Sequence, residues 1–261
     1  MPLDLLIGTS HTVIYMRGHQ LAAERGEAPS DLYRFRLDDE RYKPLMSFTP
    51  AGPLYHPQVY VDLGNRIAEL RPDCIVTAVL GAEAWIRGMS HEDPPYDFHV
   101  PELPQHPASP DLEQIPYDLL LKNCYGDLGW QFDLVVGAIR RFTDLPIFHI
   151  EAPPPARRAE LMLRDVRQNA WTIERMERSG VPSVAQRFKI WWMWTAMARR
   201  LCEENGLHFL AGPPQTRDPD GFLNEAYFGD GVHANNEYGA LMVQEVAKAR
   251  QRLLTGIAAH V

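Results

Sequence analysis

The stretch "CIVTAVLG", residues 74–81, decides how the rest of the chain is read. It is β-branched, nearly all apolar and closed by Gly81. A run this short and this uniformly apolar reads as a strand buried on both faces, not as a half-exposed strand or a helix. Similar runs lie on either side of it. "LDLLIG", 3–8, ends on a glycine, "PLMSF", 44–48, is a weaker example, and "LPIFHIEAPPP", 145–155, and "LHFLAGPP", 207–214, are each stopped by prolines.

Helical periodicity falls between these runs. In "HPQVYVDLGNRIAELR", 56–71, the residues Val59, Leu63, Ile67 and Leu70 recur at helical spacing on one face. "TVIYMRGHQLAAE" after the first strand, and the segments 128–142, 184–205 and 235–254, follow the same rule. Apolar strands alternating with amphipathic helices predict an α/β fold, a three-layer α/β/α sandwich around a parallel sheet of about five strands. No internal repeat or Ser/Gly linker divides the chain, so residues 1–261 are expected to form a single domain. The irregular region is 86–117, with seven prolines, too long for a plain connection. Its aromatic residues Tyr96 and Phe98, with Val100, predict an ordered loop over the sheet.

Composition narrows the function classes. The chain has 261 residues, 45% of them hydrophobic, and a net charge of −8. An acidic balance argues against a broad phosphate-binding surface, so no nucleic-acid partner is expected, although Arg157 and Arg158 form a small basic patch. Cys74, Cys124 and Cys202 form neither a disulfide framework nor a zinc signature and suit a reducing compartment. The start, "MPLDLLIGTSH", has too short an apolar run for a signal peptide, and no stretch approaches a membrane span. A cytoplasmic protein is expected. His91, His99 and His106 are too widely spaced for a metal motif, and "IGTSH" lacks the spacing of a phosphate loop, so neither metal nor cofactor is expected. The dense aromatic run "IWWMW", 190–194, reads mostly as core.

The chemistry gathers at the two ends of the chain. In an open parallel sheet, ligands sit beyond the carboxyl ends of the strands, and "GTSH" puts Ser10 there. Ser10 could cap the following helix, or it could be a nucleophile beside backbone N–H groups that stabilise an oxyanion. "FGDGVHANNEYG", 228–239, follows the last strand and brings Asp230 and His233 to the same edge. Asp230 and the glycines could simply form a turn, and Asn235 or Asn236 a helix cap. Three residues of tight turn also let a carboxylate hold one imidazole nitrogen and leave the other facing a serine.

With both motifs in view, the chain resembles the SGNH (GDSL-like) hydrolases. That family carries its nucleophile in a "GDS" motif after the first strand and its Asp and His in a late D-x-x-H motif. "GTSH" matches the first with Thr9 in place of the Asp, and "DGVH" matches the second in full. The resemblance implies the family's flavodoxin-like fold and a triad of Ser10, His233 and Asp230. It implies an oxyanion hole from the backbone N–H of Ser10 and of Gly52 in "TPAGP". His11, Gly81 and Glu83 are expected at the substrate pocket, with His11 as a wall residue. In the family an Asn follows the third strand in a G-x-N pattern. Here "GAE", from Gly81 to Glu83, puts a Glu in its place, and an ionised Glu cannot donate to an oxyanion. Glu83 is expected to turn away or to engage Arg87. The implied activity is an esterase acting on a small-molecule or carbohydrate ester. The alternatives are an acyltransferase with the same triad, or a catalytically inactive binding module of the same fold.

Overall fold

The computed structural model describes residues 1–50, 52–78, 87–161, 170–230 and 233–256, with residues 170–172 described by backbone alone. The chain opens with β1 (Leu3–Gly8), α1 (Thr12–Glu24) and β2 (Asp31–Arg36). A hairpin of β3 (Met46–Thr49) and β4 (Gly52–Tyr55) precedes α2 (Pro57–Leu70) and β5 (Cys74–Ala78). Short β6 (Tyr96–Asp97) and β7 (Glu113–Gln114) lie in the proline-rich region before α3 (Tyr117–Arg140) and β8 (Ile147–Ile150). Then come α4 (Ala170–Ser179), α5 (Val184–Glu204) and β9 (His208–Leu210). The bulged hairpin of β10 (Phe228–Asp230) and β11 (His233–Ala234) leads into α6 (Asn236–Leu254).

The main sheet has five strands in the order β2-β1-β5-β8-β9, each pair parallel. This is the flavodoxin-like order, with its switch point between β1 and β5, where Gly8 pairs with Ala78. Alternation along the strands sends side chains into two cores. Leu5 and Ile7 of β1, Ile75 of β5 and Ile147 of β8 join α2, α3 and α5 on one face. Leu6, Cys74, Val76 and Phe148 join Tyr15 of α1 and Met242, Val243 and Val246 of α6 on the other. Two apolar faces on one sheet require two covering layers, which gives the α/β/α sandwich.

One expected strand is corrected. The second strand of the sheet is "DLYRFR", 31–36, and "PLMSF" contributes instead to the β3–β4 hairpin, outside the sheet. β2 sits at an edge, so half of its residues stay partly exposed and polar, and its pattern lacks the apolar continuity of β5. Helix α3 begins at Tyr117, eleven residues before the periodic segment that announced it.

The proline-rich region is ordered and packed. Phe98 and Val100 are fully buried, and Leu103 nearly so. Its anchor is Lys189 of α5, whose side chain is 0% exposed. The ammonium donates to Asp97 and to the Phe98 carbonyl, both at 2.7 Å, and lies over the Phe98 ring. Gln186 of α5 donates to the Tyr96 carbonyl at 2.6 Å. In the aromatic run of α5, Ile190, Trp191, Met193 and Trp194 are buried. The three cysteines are free and buried.

Helices α1 and α6 touch backbone to backbone. A methyl group built on Gly18 would lie 2.5 Å from Gly239 Cα, and one on Gly239 would lie 3.0 Å from the Ile14 carbonyl carbon. No rotamer change relieves a clash with backbone, so Gly239→Ala should destabilise by about 1–3 kcal/mol in urea unfolding. Gly137 of α3 is the control, since a methyl group there meets nothing within 4 Å. Gly137→Ala should stabilise by roughly 0.5–1 kcal/mol, the usual helix-interior gain.

His149 of β8 is fully buried, with Nδ1 2.9 Å from Thr77 Oγ1, and burial lowers its pKa from 6.5 to about 4. Its neutral form is therefore favoured in the folded state, while the unfolded chain binds the proton at higher pH. Stability from this group is complete above pH 6.5 and is lost as pH falls toward 4. Chemical unfolding across that window should show a shallower pH slope in His149→Gln than in the parent.

Candidate active site

The turn after β1 is held by its neighbours. Thr12, fully buried, donates from Oγ1 to the Thr9 carbonyl at 2.5 Å. Arg34 of β2 donates from Nε to Thr12 Oγ1 at 2.5 Å and from Nη2 to the Thr9 carbonyl at 3.3 Å. Arg34 gave no signal in the sequence, because its strand was not recognised. Between these anchors Ser10 is exposed, and its carbonyl accepts the Val13 N–H at 2.9 Å. The N-cap position of α1 is His11, and no side chain caps the helix. The capping alternative for Ser10 therefore falls: its hydroxyl makes no hydrogen bond among the described residues.

At the other end of the chain, Asp230 holds His233 twice. Oδ1 accepts the His233 backbone N–H at 3.0 Å, and both carboxylate oxygens lie close to Nδ1, at 2.8 and 3.0 Å. An acceptor-only carboxylate fixes the proton on Nδ1 and leaves Nε2 with its lone pair. Asp230 stays 52% exposed in its side chain while the ring is 17% exposed. Asn235 then caps α6 by accepting the Tyr238 N–H at 3.1 Å, so the base candidate sits directly on a capped helix start.

Nε2 of His233 is buried and has no hydrogen-bond partner among the described residues. It is thus not bonded to the Ser10 hydroxyl, although the two segments meet. The contact between them is made by His11, whose ring centroid is 4.9 Å from that of His233 at a 57° tilt. His11 also has an unpartnered buried Nε2. Burial lowers its pKa from 6.5 to about 4, reinforced by His233 and opposed by Asp230, so it is neutral near pH 7.

His11 and His233 line a small cavity of about 30 Å³ between α1, α6 and the ends of β5 and β8. Glu151, just past β8, also faces it. This carboxylate is buried, accepts the Gly212 N–H at 2.6 Å and pairs with Arg217. Burial raises its pKa, with Arg217 and the Gly212 N–H opposing. Glu151 was overlooked in the sequence as part of an apolar run closed by prolines. Gly52 closes the β3–β4 hairpin opposite Thr49, at φ 114°, a conformation that favours glycine. Gly81 and Glu83 lie outside the described residues. Arg87, the partner expected for Glu83, contacts Asp127 at 2.9 Å and Glu92 at 3.5 Å. Among the described residues no cluster of three or more metal-ligating side chains occurs, and no helix is long and apolar enough to cross a membrane.

No protein-family profile matches the chain, and no curated protein is similar to it in sequence. Solved structures are similar in fold. The periplasmic domain of a lipopolysaccharide acetyltransferase from Salmonella ser. Paratyphi A superposes with a TM-score of 0.51 at 10% identity, over 95% of this chain and 82% of that one. A GDSL-like lipase from Bacteroides thetaiotaomicron gives 0.47 at 12% identity, over 96% and 88%. A carbohydrate acetylesterase from Sinorhizobium meliloti gives 0.43 at 12%, over 97% and 100%. The first of these, with the strand order above, shows the fold alone: the chain shares the three-layer α/β/α architecture of that domain.

Proposed function

We propose that the chain is a serine acyl hydrolase or acyltransferase acting on an ester of a small molecule or carbohydrate. Ser10 is the nucleophile, His233 the general base and Asp230 the group that orients it. The observation that carries this reading is the imidazole held at Nδ1 by a carboxylate, with Nε2 bare, beside the turn that carries an uncapped serine hydroxyl. A turn built only for structure has no need to bury an unpartnered ring nitrogen, which costs about 1–3 kcal/mol.

In the reaction, His233 Nε2 takes the Ser10 proton as Oγ attacks the acyl carbon, and returns it to the leaving alcohol. Ser10 is exposed, and in this scheme its hydroxyl turns toward His233 when substrate binds. The Ser10 backbone N–H and that of Gly52 are the oxyanion donors in this scheme. Acyl transfer is kept beside hydrolysis because the structure of TM-score 0.51 is an acetyltransferase domain.

The test is covalent labelling by a fluorophosphonate probe. The parent should label, and Ser10→Ala should not; persistent labelling of that variant would identify another nucleophile. His233→Ala should slow labelling by roughly a hundredfold to ten-thousandfold, the usual weight of a general base. An unlabelled parent would support the inactive binding module instead.

A second measurement addresses the departure at Glu83. Glu83→Asn restores the family pattern, and a rise in turnover of a short p-nitrophenyl ester is expected if the missing donor limits the rate. Removing one such donor typically costs about a hundredfold to a thousandfold. Unchanged turnover in a labelling-competent protein would mean that Glu83 does not face the oxyanion.

A further inference from the structure

The backbone N–H assigned to the oxyanion at Ser10 belongs to a peptide unit whose other end is held by side chains. The Thr9 carbonyl accepts from Thr12 Oγ1 at 2.5 Å, from the Thr12 N–H at 3.1 Å and from Arg34 Nη2 at 3.3 Å. Arg34 Nε also donates to Thr12 Oγ1 at 2.5 Å, so the two side chains form one unit behind the peptide. The turn into α1 accounts for the backbone donor alone. The Ser10 N–H, at the opposite end of the same peptide, donates to no described residue. Arg34 is partly buried and forms no ion pair with a described carboxylate. The acid whose field reaches it, Asp38, is held by Arg36 at 3.1 Å.

A peptide unit is planar, and in the trans form its C=O and N–H point in opposite directions. Thr9–Ser10 is trans. Fixing the carbonyl against Thr12 and Arg34 therefore aims the Ser10 N–H away from them, out of the start of α1. The same contacts polarise the unit. A hydrogen bond accepted by the oxygen draws density from the amide nitrogen and makes its N–H the stronger donor. A guanidinium without a carboxylate partner behind the peptide adds a positive field in the same sense. A tie serving only to join β2 to α1 would need no more than the Arg34–Thr12 bond.

We infer that Arg34 and Thr12 are positioning residues for the oxyanion donor, which aim and polarise the Thr9–Ser10 peptide toward the charge that develops on the acyl oxygen. This rests on the assignment of Ser10 as nucleophile above. In this role neither side chain has to touch the substrate, because both act through the peptide. Their effect is realised only as the oxyanion forms, so they raise kcat and leave KM alone.

The sequence offers a direct readout, because Thr9–Ser10 is its only Thr–Ser step. Protein carrying carbonyl-labelled threonine and nitrogen-labelled serine gives a single carbonyl-to-amide correlation by nuclear magnetic resonance. Thr12→Val and Arg34→Gln should each move it upfield as hydrogen bonds to the carbonyl are lost, and Thr12→Ser should hold it near the parent position. On a short p-nitrophenyl ester the first two variants should lower kcat about tenfold, the weight of one hydrogen bond, with KM within about twofold of the parent. Fluorophosphonate labelling should slow by the same factor, and Thr12→Ser should restore both rates. In a parent that labels, an unmoved correlation or unchanged rates in both variants would overturn the inference and leave the triad standing. Equal losses in Thr12→Ser and Thr12→Val, or a change in KM alone, would also overturn it, as the mark of a tie that only holds the fold. A parent that does not label would remove the nucleophile and the inference with it, whatever the correlation shows.

Discussion

Two glycines, Gly18 and Gly239, let α1 and α6 meet without side chains between them, and the position of the candidate site follows from that contact. Helix axes normally stand 8–10 Å apart, at a distance set by the side chains in the contact. With none at the crossing, the two helices close up, and their amino-terminal ends reach the same edge of the sheet. His11 directly precedes α1 and His233 lies three residues before α6, so the close crossing brings rings 222 positions apart in sequence to within 4.9 Å. A second tie lies at the opposite end of β1. Asp4, buried in the strand, pairs with Arg250 of α6 and accepts from Ser30 Oγ at 2.6 Å and from Cys74. The last helix is therefore fixed at two levels, by shape near its start and by charge near its end. Breaking that buried pair by removing one partner would leave an uncompensated charge, which is the costly way to lose it.

The other face of the sheet is organised by a different buried ion pair. Lys189 and Asp97 join α5 to the proline-rich region, and Asp97 also accepts the Phe98 and Ser109 N–H groups at 2.8 Å. A carboxylate with three donors and an ammonium with carbonyl acceptors are both satisfied, so the desolvation of the charges is offset locally. This is why a segment with seven prolines and little regular structure is nonetheless packed. Its contacts with α5 add to its own turns and the short β6–β7 pair. The α5 sequence reflects this double duty, with an unbroken buried run from Gln186 to Trp191 where a surface helix would alternate.

What the sequence made legible divides along physical lines. Strands buried on both faces announced themselves, because β1, β5 and β8 are buried along almost their whole length and are mostly apolar. The edge strand β2 did not, since one of its margins meets solvent and its arginines break the pattern. Asp4 hid inside an apolar strand because its partner, Arg250, lies 246 residues away, and a lone acid in a hydrophobic run carries no local sign of pairing. Asp230 and His233 were legible because their interaction is local, three residues apart in one turn. Glu151, Arg217 and Tyr238 were not, because three separate segments meet only after the sheet forms. Sequence patterns expose chemistry that is close along the chain, and conceal chemistry assembled by the fold.

The two histidines at the edge differ in a way that bears on their roles. They share an environment and stand ring to ring, yet only His233 has a carboxylate on its Nδ1. That carboxylate fixes the ring's orientation and its tautomer, leaving the lone pair on Nε2. His11 has only the longer-range field of Asp230, which does not overcome its burial, and its pKa falls to about 4. His11 remains a neutral ring near pH 7. In physical terms two chemically identical side chains are given different environments by one aspartate at the surface and by burial.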